Sequence, residues 1–359
     1  MSDFSELSKD KKMKKILLGI SVAVILSVSA KGQDIHFTQY FTSPLTLNPA
    51  MTGLVTEDLR LAANYRTQWS SVSPNPYTTA TFSFDIAMLK NKLPDGDALG
   101  IGFMGLYDKA GSGGLTNTTV GGSIAYHKGF GFNKQHRISL GVQGNMVSKT
   151  LDFTKLTFED GYNFTNNTFT PGTDKGLGSN ATSYMDFNGG LMYSGRVYDH
   201  VTAYFGYSYY HLTQPVESFL TDKTHPIHSR HTLYMGGAFD LNDRTVLYSS
   251  LLYQSQASAS EILMGSAVGF VLNPGHDQEF QKNTLLYLGG WYRFGDALAP
   301  YIAIEWAKMR IGLSYDINLS SFTPATSGGG GYELSLLFFG RINKHERNPE
   351  YTWTCPKIF

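Results

Sequence analysis

Between residues 309 and 319 apolar side chains recur at every second position. Met309, Ile311, Leu313, Tyr315, Ile317 and Leu319 alternate with Arg310, Gly312, Ser314, Asp316 and Asn318. A period of two is the mark of a strand, which sends successive side chains to opposite faces. One such stretch would suit any half-buried sheet, but weaker versions recur along the chain. Ala80, Phe82, Phe84, Ile86 and Met88 alternate with Thr79, Thr81, Ser83, Asp85 and Ala87. Ile138, Leu140, Val142 and Met146 alternate with Ser139, Gly141, Gln143 and Asn145, and Tyr332, Leu334, Leu336 and Phe338 with Glu333 and Ser335. Residues 285–291 fit less cleanly, because both faces there are partly apolar.

Fourteen segments of strand length, bounded by turn residues, emerge from this pattern. They fall at 58–69, 77–88, 98–107, 117–128, 136–149, 182–195, 200–211, 229–240, 243–254, 260–273, 282–294, 299–306, 308–319 and 331–341. Strands that cross an outer membrane need roughly 9–11 residues, and single-chain bacterial barrels have an even number of them.

The start of the chain sets the compartment. Lys11, Lys12, Lys14 and Lys15 precede an apolar run at 16–28, and Val28-Ser29-Ala30 and Ala30-Lys31-Gly32 both offer small residues for cleavage. This is the layout of a secretory signal peptide. The run is shorter than the roughly 20 residues of a spanning helix, and Met13-Lys14-Lys15 reads as a more natural beginning than Met1. No cysteine follows the run, so a lipoprotein is not expected. Downstream no stretch is long and apolar enough for a transmembrane helix, so a membrane location requires a closed barrel, in which every backbone group is paired. The expected fold is therefore all-β: a transmembrane antiparallel β-barrel of 14 strands.

The connections test the same idea. If the chain enters the first segment from the periplasm, the short links 196–199, 241–242 and 307 fall on that side. The two longest, 150–181 and 212–228, fall outside, as outer-membrane barrels prefer. The short links 255–259 and 295–298 also fall outside and fit less well. A 14-stranded barrel lies between filled eight-stranded and channel-forming sixteen-stranded ones. Its lumen is expected to be lined by Arg66, Asp85, Arg310 and Asp316, together with Asn64, Gln143, Asn145, Asp186, Asn188, Glu305 and Glu333. Mixed signs read as charges paired across a plugged interior, not as an ion-selective pore.

Composition adds limits. Removing residues 1–30, with five basic and three acidic residues, turns 29 of each sign into 24 basic and 26 acidic. Such near-balance argues against a nucleic-acid surface. Cys355 is the sole cysteine and cannot form an internal disulfide. The 38 Gly, 22 Tyr and 23 Phe suit a barrel with one lipid-facing side, and Trp69, Trp291, Trp306, Tyr107, Tyr126 and Tyr301 near strand ends suit aromatic girdles.

Candidate chemistry is sparse. His225, His228 and His231 lack the helical glutamate of a zinc protease, and Pro226 bars a helix. The glycine run 328–331 lacks the lysine of a phosphate loop and reads as a hairpin loop. Asn117-Thr118-Thr119, Asn166-Asn167-Thr168 and Asn180-Ala181-Thr182 read as loop residues, and no Gly-x-Ser-x-Gly elbow marks a nucleophile. No enzyme, cofactor or metal is expected.

Residues 34–54 break the barrel pattern. Phe37, Tyr40, Phe41, Leu45, Leu47 and Met51 are its apolar content, and Pro44 and Pro49 prevent regular structure. Such a segment is expected to plug the barrel mouth. The tail beyond Arg341, with Tyr351, Trp353 and Phe359, extends past the last strand. The expected organisation is a signal peptide at 1–30, a plugging segment at 31–57, the barrel at 58–341 and a periplasmic tail at 342–359.

That segment and the stretch after it resemble the PorP/SprF family of outer-membrane proteins of the Bacteroidota type IX secretion system and gliding machinery. The resemblance rests on Gln39-Tyr40, Asn48-Pro49-Ala50, Gly53, Asn64-Tyr65-Arg66, Gln68-Trp69 and Phe82-Ser83-Phe84-Asp85, with Cys355-Pro356 near the end. It implies a non-enzymatic barrel that supports export or surface anchoring of a secreted adhesin bearing a type B C-terminal domain, linked to gliding motility. Periplasmic or peptidoglycan-linked secretion components are the other partners it implies, beside outer-membrane lipid. Candidate partner-binding residues are Phe37, Tyr40, Phe41, Asn48 and Pro49 of the segment, and Tyr162, Phe164, Phe169 and Phe219 of the two long connections. The competing function is a porin or a channel for small or hydrophobic solutes.

Overall fold

The computed structural model describes residues 34–342, apart from 91, 112, 157, 171–178, 220–225, 273–283 and 322. In chain order the strands are β1 (Leu59–Gln68), β2 (Tyr77–Met88), β3 (Ala98–Ala110), β4 (Leu115–Phe130), β5 (His136–Thr150), β6 (Tyr162–Asn163), β7 (Thr168–Phe169), β8 (Ala181–Tyr198), β9 (Val201–Tyr210), β10 (Arg230–Asn242), β11 (Thr245–Gln256), β12 (Ala259–Val271), β13 (Leu285–Arg293), β14 (Ala297–Trp306), β15 (Met309–Asn318) and β16 (Gly329–Gly340). Fourteen of them, all but β6 and β7, pair antiparallel with their neighbours, and β1 against β16 closes the barrel. These fourteen match the expected segments, with bounds differing by three residues at most. The β6–β7 hairpin stands apart inside the connection 151–180; nothing in the alternation announced so short a pair.

Alternation sorts the two faces as the fold class requires. On β15, Arg310, Gly312, Ser314, Asp316 and Asn318 are buried, whereas Ile311, Leu313, Tyr315 and Ile317 point outward. On β2 the outward residues include Phe82, and Thr79, Thr81, Ser83 and Asp85 are buried within. A polar interior and an apolar exterior are what a bilayer selects.

Two expectations change. Trp291 and Tyr301 do not join a girdle: each shares its strand's inward parity, and both are buried. The glycine run is not a free loop either. Gly329, Gly330 and Gly331 open β16, where a Cβ at Gly331 would lie 2.3 Å from the Thr67 carbonyl oxygen and one at Gly330 2.5 Å from Asn318 Oδ1. The glycines allow β1, β15 and β16 to meet closely.

Residues 34–55 lie among the inward side chains of the strands. Two 3-10 turns, Tyr40–Thr42 and Pro49–Met51, flank a helical turn at Pro44–Leu47. Proline at the first helical position sacrifices an amide that would lack an intrahelical partner anyway. From Phe37 to Val55 nearly every residue is buried. The signal-peptide region, His225 and the tail from 343 onward lie outside the described residues.

Candidate functional site

The lumen holds the polar and aromatic side chains that the fold brings together, and three groups of contacts tie residues 34–55 to its wall. The first is built where β1 meets β16. Arg66 donates from Nη1 to Glu333 Oε1 at 2.7 Å and from Nη2 to Asp316 Oδ2 at 3.0 Å. Arg66 and Glu333 stand opposite one another in the closing register, so this ion pair bridges the seam itself. Glu333 also accepts the backbone amides of Thr38 (2.7 Å) and Gln39 (2.8 Å). Thr38 Oγ1 donates to Asp316 Oδ1 at 2.9 Å and accepts from Arg293. Gln39 donates to Ser314 and accepts from Ser335 at 2.6 Å.

The second group lies towards the end of the barrel where β1 begins. Arg60 grips Asp85 with two nitrogens, at 3.0 and 2.8 Å, and reaches the Met51 carbonyl at 3.0 Å. The amide of Gly53 donates to the same carboxylate at 2.7 Å. Gly53 has φ +70°, and a Cβ there would sit 2.4 Å from Gly100 Cα, so glycine is required twice over. His127 Nε2 contacts the Thr52 carbonyl at 2.8 Å; a carbonyl only accepts, which puts the proton on Nε2 and leaves Nδ1 facing Ser139 Oγ at 2.7 Å. Nearby, Arg310 pairs with Glu305 and contacts Tyr287.

The third group is aromatic, on the wall from β9 to β14. Phe41 packs on Trp291 and Tyr301, with ring centroids 5.1 and 5.7 Å apart. The Tyr234 hydroxyl accepts from Asn48 Nδ2 at 3.1 Å, while the side-chain oxygen of Asn48, Oδ1, accepts the Ala50 amide at 2.8 Å. Ser208 and Tyr210 donate to the Leu47 and Leu45 carbonyls at 2.7 and 3.0 Å. Where the turns press on β5 and β8 the wall carries glycine. A Cβ at Gly141 would meet Pro49 carbon at 2.3 Å, and one at Gly190 would meet Asn48 Oδ1 at 1.8 Å.

The lumen residues expected from the sequence, Arg66, Asp85, Arg310 and Asp316, are all buried and inward, each in an ion pair. Phe37, Tyr40, Phe41, Asn48 and Pro49 are buried. Tyr162 and Phe164 stack edge to face at 4.8 Å on the β6–β7 hairpin, with Phe164 83% exposed. Phe169 lies in β7, and Phe219 is half-buried in the connection 211–229. The two sets of candidate partner-binding residues therefore sit apart. Arg60, Arg293, His127 and Gly190 escaped sequence reasoning. Inward parity on an assigned strand was the signal available for them.

The arrangement has the chemistry of a packed interior: carboxylates are neutralised by guanidinium groups and by amides of the segment. Among the described residues no three metal-ligating side chains converge, and no helix is long and apolar enough to cross a membrane.

Known proteins give the following matches. A family model described as type IX secretion system membrane protein PorP/SprF matches residues 29–338. No curated protein matches the chain. Among solved structures, the Ralstonia pickettii toluene transporter TbuX is 12% identical, with 84% of this chain and 94% of that one covered at a TM-score of 0.48. A Pseudomonas aeruginosa FadL homologue is 12% identical over 81% and 91%, at 0.43. The P. putida toluene transporter TodX is 11% identical over 82% and 93%, also at 0.43.

Proposed function

Because the chain belongs to the PorP/SprF family of type IX secretion system membrane proteins, we propose that it is an occluded, non-catalytic outer-membrane barrel supporting export or surface anchoring of a secreted adhesin. In this reading the adhesin's type B C-terminal domain docks on the connections 151–180 and 211–229, and the function serves gliding motility. Residues 34–55 plug the lumen, and the tail faces periplasmic, peptidoglycan-linked components of the secretion machine.

The observation that carries the reading is the joining of lumen carboxylates to a segment of the chain itself. Glu333 and Asp85 spend their oxygens on arginines and on amides of residues 38, 39 and 53. A porin gains nothing from such an arrangement, whereas an anchor needs a wide, rigid, sealed scaffold. Phe164, left exposed on a long connection, supports docking there, since exposed aromatic side chains are favoured anchors at interfaces.

Two measurements test this. Shortening both long connections should abolish co-purification of the adhesin from native membranes while leaving the unheated barrel band on gels; undiminished recovery would sink the docking surface. Purified protein in planar bilayers should be electrically silent, and steady open-channel currents would favour the porin reading.

A further inference from the structure

The course of residues 34–55 has a direction. Asp34 is held by three groups at one end of the barrel. Its amide donates to Gln256 Oε1 at 2.7 Å, and its carboxylate meets Arg230 Nη1 at 3.2 Å and His211 Nε2 at 2.8 Å. Gln256 is the last residue of β11, Arg230 the first of β10, and His211 follows the last of β9. All three therefore lie at the end that carries the connections 151–180 and 211–229. Further along, Thr42 meets Asn64 and Ser43 meets Thr81 in mid-wall. Gly53 then binds Asp85 near the opposite end, where Lys90 donates to the Glu57 carbonyl and Leu59 starts β1 against Gly340.

We infer that the chain makes a fifteenth passage through the barrel, unpaired with any strand, so that its N-terminal side leaves at the long-connection face and its C-terminal side at the other. Fourteen strands alone would leave both ends of the barrel chain on one face. The added passage makes the number odd. The rim that receives Asp34 borders the connection 211–229, which carries the Val216–Pro226 bridge and the Ile227–Pro215 hydrogen bond. Asp34, where the passage begins, is thus held at the rim on which, resting on the function proposed above, a secreted partner docks. The passage itself does not depend on that partner.

The experiment uses the full chain in native membranes with two short epitopes, one inserted after Gly32 and one after Phe359. Membrane-impermeant antibodies are applied to intact and to permeabilised cells. The first epitope should be labelled equally in both, and the second only after permeabilisation. Epitopes found on opposite faces in the reversed sense would still support the passage and would overturn the assignment of the long connections to the exterior. Both epitopes on the same face would overturn the passage. If the insertion blocks folding, D34C with Q256C in a C355S background should be joined by a short bismaleimide into a closed loop of altered mobility. Absence of that product in folded protein would overturn the proposal equally, whether or not the adhesin binds.

Discussion

The lumen has two unlike walls. From β9 to β14 it presents Tyr204, Tyr234, Tyr248, Tyr287, Trp291 and Tyr301, all buried and packed around Phe41 and its neighbours. Across β15, β16, β1 and β2 it presents Arg60, Arg66, Asp85, Asp316 and Glu333, equally buried but charged. Aromatic side chains supply area and tolerate several ring geometries. Desolvated ions do not: their stabilisation depends on geometry and on every remaining lone pair being met. The first wall gives the segment something to pack on; the second fixes its register, because amides 38, 39 and 53 must each reach a particular carboxylate. The contrast also explains why residues 285–291 look apolar on both faces: one face meets lipid and the other meets Phe41.

The charged wall should be the more fragile. Arg66→Ala leaves Glu333 and Asp316 without their shared guanidinium at the seam between β1 and β16. Removing one member of a buried pair costs about 3–5 kcal/mol, so the denaturant midpoint of the heat-modifiable band should fall sharply. An unchanged midpoint would show that the seam is held by its backbone ladder alone.

Next in size is a steric test of lumen against exterior. Gly190→Leu drives side-chain atoms into Asn48, whose Oδ1 already lies 1.8 Å from the position of a Cβ. Gly144→Leu on neighbouring β5 faces outward and would meet Phe187 at 3.4 Å, an ordinary contact. Overpacking costs typically about 1–3 kcal/mol, and relief comes most cheaply by displacing the turn at residues 48–50. The lumen variant should therefore destabilise the barrel and admit bilayer current, while the outward one stays silent and stable. Equal behaviour of the two would deny that the turn is seated there.

This pair shows what was legible in the sequence. Strands were, because alternation between lipid and lumen is local and repeats with a period of two. Arg310 and Asp316 could be assigned to the interior from parity alone. The role of Gly190 could not, since glycine has no hydropathy phase and its partner Asn48 lies 142 positions upstream. The route of residues 34–55 was equally hidden. Aromatic and proline content marks them only as unlike a strand; their direction is written in contacts such as Thr38 to Glu333, 295 residues apart. The β6–β7 hairpin is two residues a side, too short for any periodicity to register.

The smallest effect belongs to the latch at Asp34, where His211 stands between Asp34 and Asp186 with Arg230 beside them. Burial alone would lower its pKa, but the two carboxylates outweigh burial and raise it from 6.5 to about 9. Asp34, although buried, is held below the usual carboxylate range by Arg230 and His211 and stays ionised at neutral pH. A group whose folded pKa is raised contributes its full stability below its unfolded value, and that contribution fades as pH rises through the folded one. The latch should accordingly be complete below pH 6.5, weaken by on the order of 1 kcal/mol by pH 7.5, and lose the histidine's share above pH 9. Arg230 and Gln256 also hold Asp34, so the segment loosens at its Asp34 end instead of leaving the lumen. Amide hydrogen exchange over residues 34–39, corrected for its intrinsic pH dependence, should accelerate between pH 6.5 and 9 in the native chain, while H211Q should show a flat profile already set at the faster rate. Parallel profiles in the two proteins would mean that Arg230 and Gln256 hold Asp34 without help from the imidazole.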